Sequence, residues 1–171
     1  MFELKPISKG GVPRAVAKAE RYRLLNEPQE AESICRDILR VEPENEEVAV
    51  MLLLSITDQF GKSPDVGADH ARKVLDKIRG EYERAYYAGV IFERWAKAQL
   101  RGGAYPGNAS GFFQLAMDWY GKAMALSPQG NDDAILRWNA CVRFMQQNPY
   151  LKGEVEEAES ESGFPDGAPA R

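Results

Sequence analysis

The stretch AERYRLLNEPQEAESICRDILRVEP, residues 19–43, decides the fold. Within it Ala19, Tyr22, Ala31, Cys35, Ile38 and Pro43 follow one another at steps of three, nine, four, three and five residues. Ala19 and Ala31 are small enough to let two antiparallel helices approach closely. Tyr22, Cys35 and Ile38 fill the space around that contact, and Pro43 ends the second helix and turns the chain onward. Between the helices, Asn26 reads as a cap and Pro28 as a first-turn residue.

Working outward, residues 1–11 read as an irregular lead-in ending at Gly10-Gly11. Pro13 opens the first helix, whose stripe is Val12, Ala15, Val16, Ala19 and Tyr22. Asn45 caps a third helix over about Glu46–Phe60, apolar nearly all round and so buried on more than one side. A fourth is predicted over Ala68–Arg79 and a fifth over Glu81–Leu100, with residues 101–111 as a loop. The sixth runs over about Ala109–Leu126, capped by Asn108 or Ser110. The seventh covers about Asp132–Gln147, capped by Asn131 or Asp132. No segment sustains a two-residue alternation, so the fold class is all-α.

The charge is unevenly placed. Six acids in residues 153–171 (Glu154, Glu156, Glu157, Glu159, Glu161 and Asp166) stand against Arg171 alone, a balance of −5 within a formal net charge of −4. The remaining body is therefore at +1, which offers no general attraction to a phosphate backbone and argues against nucleic-acid binding. The segment itself reads as an acidic, disordered tail whose only apolar anchor is Phe164-Pro165. Met1–Lys5 lacks the apolar run of a signal peptide. Val48–Leu54, the longest apolar stretch, is far too short to span a bilayer. Cys35 and Cys141 stand far apart with no paired spacing, so neither a disulfide framework nor a zinc site is expected. A reducing cytoplasm without a membrane partner is the expected setting.

The spacing around Ala19 and Ala31 resembles the tetratricopeptide repeat, a 34-residue helix–turn–helix unit. Glu30, Ala31 and Pro43 stand in the family's places; the bulky residue near the start of the first helix is replaced by Ala15. A second copy reads backwards from Pro128 through Ala123, Tyr120 and Ala116 at steps of five, three and four. Between them lies a degenerate copy, with Leu53 and Ile56 in its first helix and Ala71, Leu75 and Ile78 in its second. The third unit's first helix carries Ile91, Trp95 and Ala98, followed by a loop about nine residues too long for the family. The resemblance covers about residues 12–147. It implies a stack of three antiparallel helical hairpins, an α-solenoid closed by residues 132–147 as a capping helix, within a domain over 12–152.

What the resemblance implies for function is an adaptor or scaffold without enzymatic activity, cofactor or metal, holding a peptide or helix of another protein on its concave face. By helical phase that face carries Val16, Glu20 and Arg23, then Val50, Leu54, Thr57 and Asp58, then Phe92, Ala96 and Gln99, and last Ile135 and Asn139. These positions are rich in apolar side chains. They suit either an open slot for an apolar segment or a tightly curled stack in which they pack on one another. The lysines and asparagines with which some members grip a carboxylate are absent, since the matching positions hold Val16, Glu20, Met51 and Phe92. A homo-oligomer pairing through the apolar face is the alternative.

Chemistry finds little support. The lone His70, beside Asp69 and Arg72, reads as a surface residue, and Ser110 and Ser127 have no histidine at a family spacing. Gly102-Gly103 with Pro106-Gly107 lacks the strand and lysine of a phosphate cradle. Lys9, Arg14, Lys18, Arg21 and Arg23 form a basic cluster, read as a solvated helix face or as a site for an acidic partner or the chain's own acidic tail. Trp95, Trp119 and Trp138 each lie in an apolar stripe and read as core.

Overall fold

The computed structural model describes residues 2–63 and 65–152, so the acidic segment 153–171 lies outside the described residues. Seven α-helices follow one another, and no strand occurs among the described residues: α1 (Val12–Leu24), α2 (Pro28–Val41), α3 (Glu46–Thr57), α4 (Ala68–Leu75), α5 (Glu81–Arg101), α6 (Pro106–Leu126) and α7 (Asp133–Gln147). Single 3-10 turns precede α1 (Lys9–Gly11) and follow α7 (Pro149–Lys152).

The first hairpin follows the alanine argument. Ala19, Ala31, Cys35 and Ile38 are wholly buried where α1 meets α2. The turn differs from the expectation: Asn26 does not cap α2 but ends α1. It adopts φ 59°, and the Glu27 N–H donates to the Tyr22 carbonyl at 2.9 Å, a closing bond that asparagine's tolerance of the left-handed region permits. Glu27 then stands at the N-cap and Pro28 at the first helical position.

Asn45 does cap α3, its Oδ1 accepting from the Val48 N–H at 3.1 Å. As its composition implied, α3 is buried on nearly all sides, from Val48 to Thr57, and ends in a turn that seats Phe60 edge-on against Trp95, ring centroids 5.2 Å apart. α4 stops at Leu75, four residues before the expected end. The chain tightens there, with Lys77 bonding back to Val74 and Ile78 to Leu75. Ile78 stays buried past the helix end.

The expected loop over residues 101–111 shrinks to Gly102–Tyr105. Pro106, with its φ preset for a first helical position, starts α6 three residues before the expected Ala109. Gly107 is accepted so near that start because the Tyr105 ring lies where a β-carbon would stand. Asn131, not Asp132, supplies the polar contact before α7: its Oδ1 accepts from the Asp133 N–H at 3.0 Å and from the Tyr82 hydroxyl at 3.2 Å.

Each helix packs on its successor, and α1 also meets α3, as α3 meets α5. One core gathers Val48, Leu53, Ile56, Phe60 and Ile78 from the first half and reaches Ile91 and Ala98 on α5. A second is built from Val90, Ala96, Phe113, Tyr120, Cys141 and Leu151. Each such buried Ile, Leu or Phe stabilises by roughly 1.5–3 kcal/mol. Leu54 and Tyr87 touch both cores. Gly89 explains the closeness of α5 and α6: a β-carbon there would lie 2.5 Å from the Tyr120 ring.

Candidate functional site

Four alternate helices contribute to one charged seam. Arg23, in the last turn of α1, donates from Nε to Asp58 Oδ2 at 3.0 Å. Asp58 immediately follows α3, and its Oδ1 accepts from Arg94 of α5 at 2.5 Å. The same nitrogen of Arg94 donates to Thr57 Oγ1 at 2.6 Å and to the Leu54 carbonyl at 3.3 Å. Burial lowers the pKa of Arg94 from its ordinary value while the Asp58 charge opposes the drop. A guanidinium keeps its charge regardless, so Arg94 is a fixed, partly desolvated cation.

One residue earlier on α5, Glu93 is 1% exposed. Its Oε2 accepts from the Tyr120 hydroxyl at 2.7 Å; its Oε1 accepts from Lys97 at 2.6 Å and from Arg137 of α7 at 3.5 Å. Burial by itself would raise this carboxyl. The hydrogen bonds from Lys97 and Tyr120, with the charges of Lys97 and Arg137, outweigh burial and hold it below its ordinary 4.5. Burial and the adjoining Glu93 drive the Tyr120 hydroxyl upward, so it remains a neutral donor. Arg137 is raised: burial works against it, and the Glu93 charge together with Tyr86 and Tyr120 outweighs burial.

Thr57, Asp58, Lys62, Arg94, Lys97 and Arg101 line a cleft of about 250 Å³. Four cations there face one carboxylate, which gives a positive potential in a concave, partly desolvated place. Lys97 also lies 5.4 Å from the Phe144 ring centroid, and the Lys62 Nζ donates to Asn26 Oδ1 at 3.0 Å. Arg101 is exposed.

Of the residues assigned to the face by helical phase, Arg23, Thr57 and Asp58 fall in this seam, and Leu54 supplies a carbonyl to it. Val16, Val50 and Leu54 are half-buried against the first core, and Glu20 is exposed. The later helices turn the other way. Phe92 stacks on Phe112 of α6 at 6.5 Å, Ala96 is wholly buried in the second core, and Gln99 lies beside Trp95, Asn108 and Leu115. Ile135 is exposed and Asn139 half-buried, each two residues from Arg137. Two residues on a helix are about 200°, so on α5 and α7 the expected side chains point away from the seam that Arg94, Lys97 and Arg137 build. α6 draws the apolar Phe92 and Ala96 to itself and leaves the cationic arc to face Asp58 and the cleft. The signal for that arc was in the sequence, as Arg94, Lys97 and Arg101 at helical spacing.

Elsewhere, His70 is exposed and its Nδ1 accepts from the Gly67 N–H at 3.3 Å. Cys35 and Cys141 are fully buried, and burial pushes each thiol up to about 12. Among the described residues no three acidic, histidine or cysteine side chains converge as a metal site, and no helix is long and apolar enough to cross a membrane. Arg14, Lys18 and Arg21 line a second cleft, of about 560 Å³, with Ala17, Tyr22 and Leu25. No family model, curated protein or solved structure matches this chain.

Proposed function

We propose that the chain is a non-enzymatic interaction module, a tetratricopeptide-like stack of three hairpins closed by α7, which holds an acidic segment of another protein on its inner face. The order of contacts supports the stack: each helix meets the next, and α1, α3 and α5 meet in series. The ion pairs support an inner face made by α1, α3, α5 and α7, since Arg23, Asp58 and Arg94 form one chain of charge and Glu93 with Arg137 another. The observation that carries the partner's chemistry is the cleft with four cations around Asp58. Val16, Val50 and Leu54 are half-occupied by the stack's own core, which leaves charge as the dominant attraction.

A glutamate decamer titrated into the isotope-labelled chain at about 50 mM salt, where surface charges are weakly screened, tests this. The expected result is movement of the amide signals of Thr57–Lys62 and Arg94–Arg101. Joint replacement Lys62→Glu and Arg101→Glu, both exposed, is expected to weaken binding at least about tenfold, because like charges at an interface repel strongly. Equal binding by the two proteins rejects the proposal.

A second reading is end-to-end self-association. It is favoured by exposed apolar residues on the first and last helical regions, Leu24 and Leu25 following α1's apolar stripe and Ile135 and Leu136 on α7. Light scattering decides it: a monomer at about 100 μM, well above a micromolar dissociation constant, rejects this second reading.

A further inference from the structure

The chain leaves the described structure at the same end of the stack as the cationic cleft. Pairings of side chains fix the directions of the last three helices. Gly89 meets Tyr120 while Phe92 stacks on Phe112, so α5 and α6 are antiparallel. Phe113 meets Phe144 while Gly121 approaches Trp138, so α6 and α7 are antiparallel too. α5 and α7 therefore run in the same direction, as the pairs Glu93–Arg137 and Lys97–Phe144 also require. The C-terminal ends of α5 and α7 lie at one end of the stack, where Arg101 completes the cleft. The turn Pro149–Lys152 packs on α6 and α7, anchored by the wholly buried Leu151. The chain thus departs from this same end.

What departs is complementary to the cleft. Residues 153–171 carry six acids against Arg171, beginning with Glu154, two residues beyond Lys152. Nineteen residues reach at most roughly 65 Å when extended, ample to enter a cleft at the same end of the stack. The competing basic surface, Arg14, Lys18 and Arg21, lies on α1, the first helix of the series, whereas the chain departs from the last. We infer that the acidic segment 153–171 occupies the cationic cleft of its own chain, as an internal ligand that an acidic partner must displace. The inference rests on the proposed reading of the cleft. A tethered ligand acts at an effective concentration on the order of millimolar. It therefore suppresses weak acidic ligands and yields to a partner with tighter or additional contacts.

The test uses the full chain. A nitroxide on S162C labels the tail alone, because Cys35 and Cys141 are fully buried. At about 50 mM salt the label is expected to broaden the amide signals of Lys62, Lys97 and Arg101, and at about 1 M salt, where charges are screened within about 3 Å, to release them. Absence of broadening there, or broadening centred on Arg14–Arg21, overturns the inference. In a second arm the six tail acids are replaced by Gln or Asn, and the glutamate decamer is expected to bind this chain about tenfold tighter than the native one, the suppression that a tethered competitor imposes. Equal affinity for the two chains overturns the inference and leaves the proposed function standing. A decamer that fails to bind even the neutral-tailed chain rejects the proposed function itself.

Discussion

Asp58 and Glu93 are carboxylates of the same seam, each bridged between cations, yet their surroundings differ. Asp58 has a quarter of its side chain exposed, between Arg23 and Arg94 at the rim of the cleft. Glu93 is 1% exposed, enclosed by Tyr120, Lys97 and Arg137. Water screens the first and leaves it open to exchange partners; the second is cut off from water and must keep the partners it has. The same chemistry is thus left accessible to solvent at one position and locked into the packing at the next, and burial separates the two.

The largest effect is expected where that difference is greatest. Glu93→Ala leaves two cations and a phenol facing an apolar gap, and a loss of roughly 3–5 kcal/mol in urea unfolding is expected, as for breaking a buried pair. A loss under about 1 kcal/mol would place Glu93 with ordinary surface pairs and erase the contrast. The pH dependence sharpens it. Because the folded structure holds Glu93 below its ordinary 4.5, its contribution is complete above the unfolded value and disappears as pH falls through the lower, folded one. Glu93→Gln is expected to flatten that acid limb of the stability curve.

Gly89→Ala comes next. It pushes a methyl group into the Tyr120 ring, the donor to Glu93, and a loss of roughly 1–3 kcal/mol is expected from overpacking. That exceeds the gain of about 1 kcal/mol in helix propensity. Thermal unfolding reads the difference, and a more stable variant would mean that the α5–α6 contact is loose. A double-mutant cycle of Arg23→Ala with Asp58→Asn is expected to give a coupling of only about 0.2–1 kcal/mol. A coupling like that of a buried pair would contradict the exposure of Asp58. The smallest effect belongs to His70→Ala, outside both carboxylate centres and exposed, for which a change within about 0.5 kcal/mol is expected in the same unfolding measurement.

Much of the helical order was legible. The burial of Ala19 and Ala31 where α1 meets α2, the Asn45 cap, the all-round burial of α3 and the core role of Cys35 follow from residue size, spacing and periodicity; on α7 the structure buries Ala134 and Cys141 and leaves Ile135 and Leu136 exposed. The misplaced boundaries have local causes that compete with equal signals. Glycines around Pro106 look like a loop until Tyr105 is seen to cover Gly107, and Asn26 suits a helix start as well as the left-handed helix end it makes. The charged seam was half legible. Helical phase set Arg23, Thr57 and Asp58 on one face, and the structure joins them through Asp58 and Arg94. Phe92, Ala96 and Gln99 were chosen over Arg94, Lys97 and Arg101 because apolar side chains suggest a sticky face before it is known which neighbour covers them.

By itself the sequence determined that the described chain is helical, which alanines let α1 and α2 approach, and that negative charge is concentrated after residue 152. Periodicity, side-chain volume and formal charge are properties of the chain, unchanged by what it packs against. Only the tertiary structure decided which arc of α5 stays open, and that Glu93 is enclosed while Asp58 is not. The reason is that helical phase fixes the angles between side chains on one helix but leaves open which of those angles the next helix occupies.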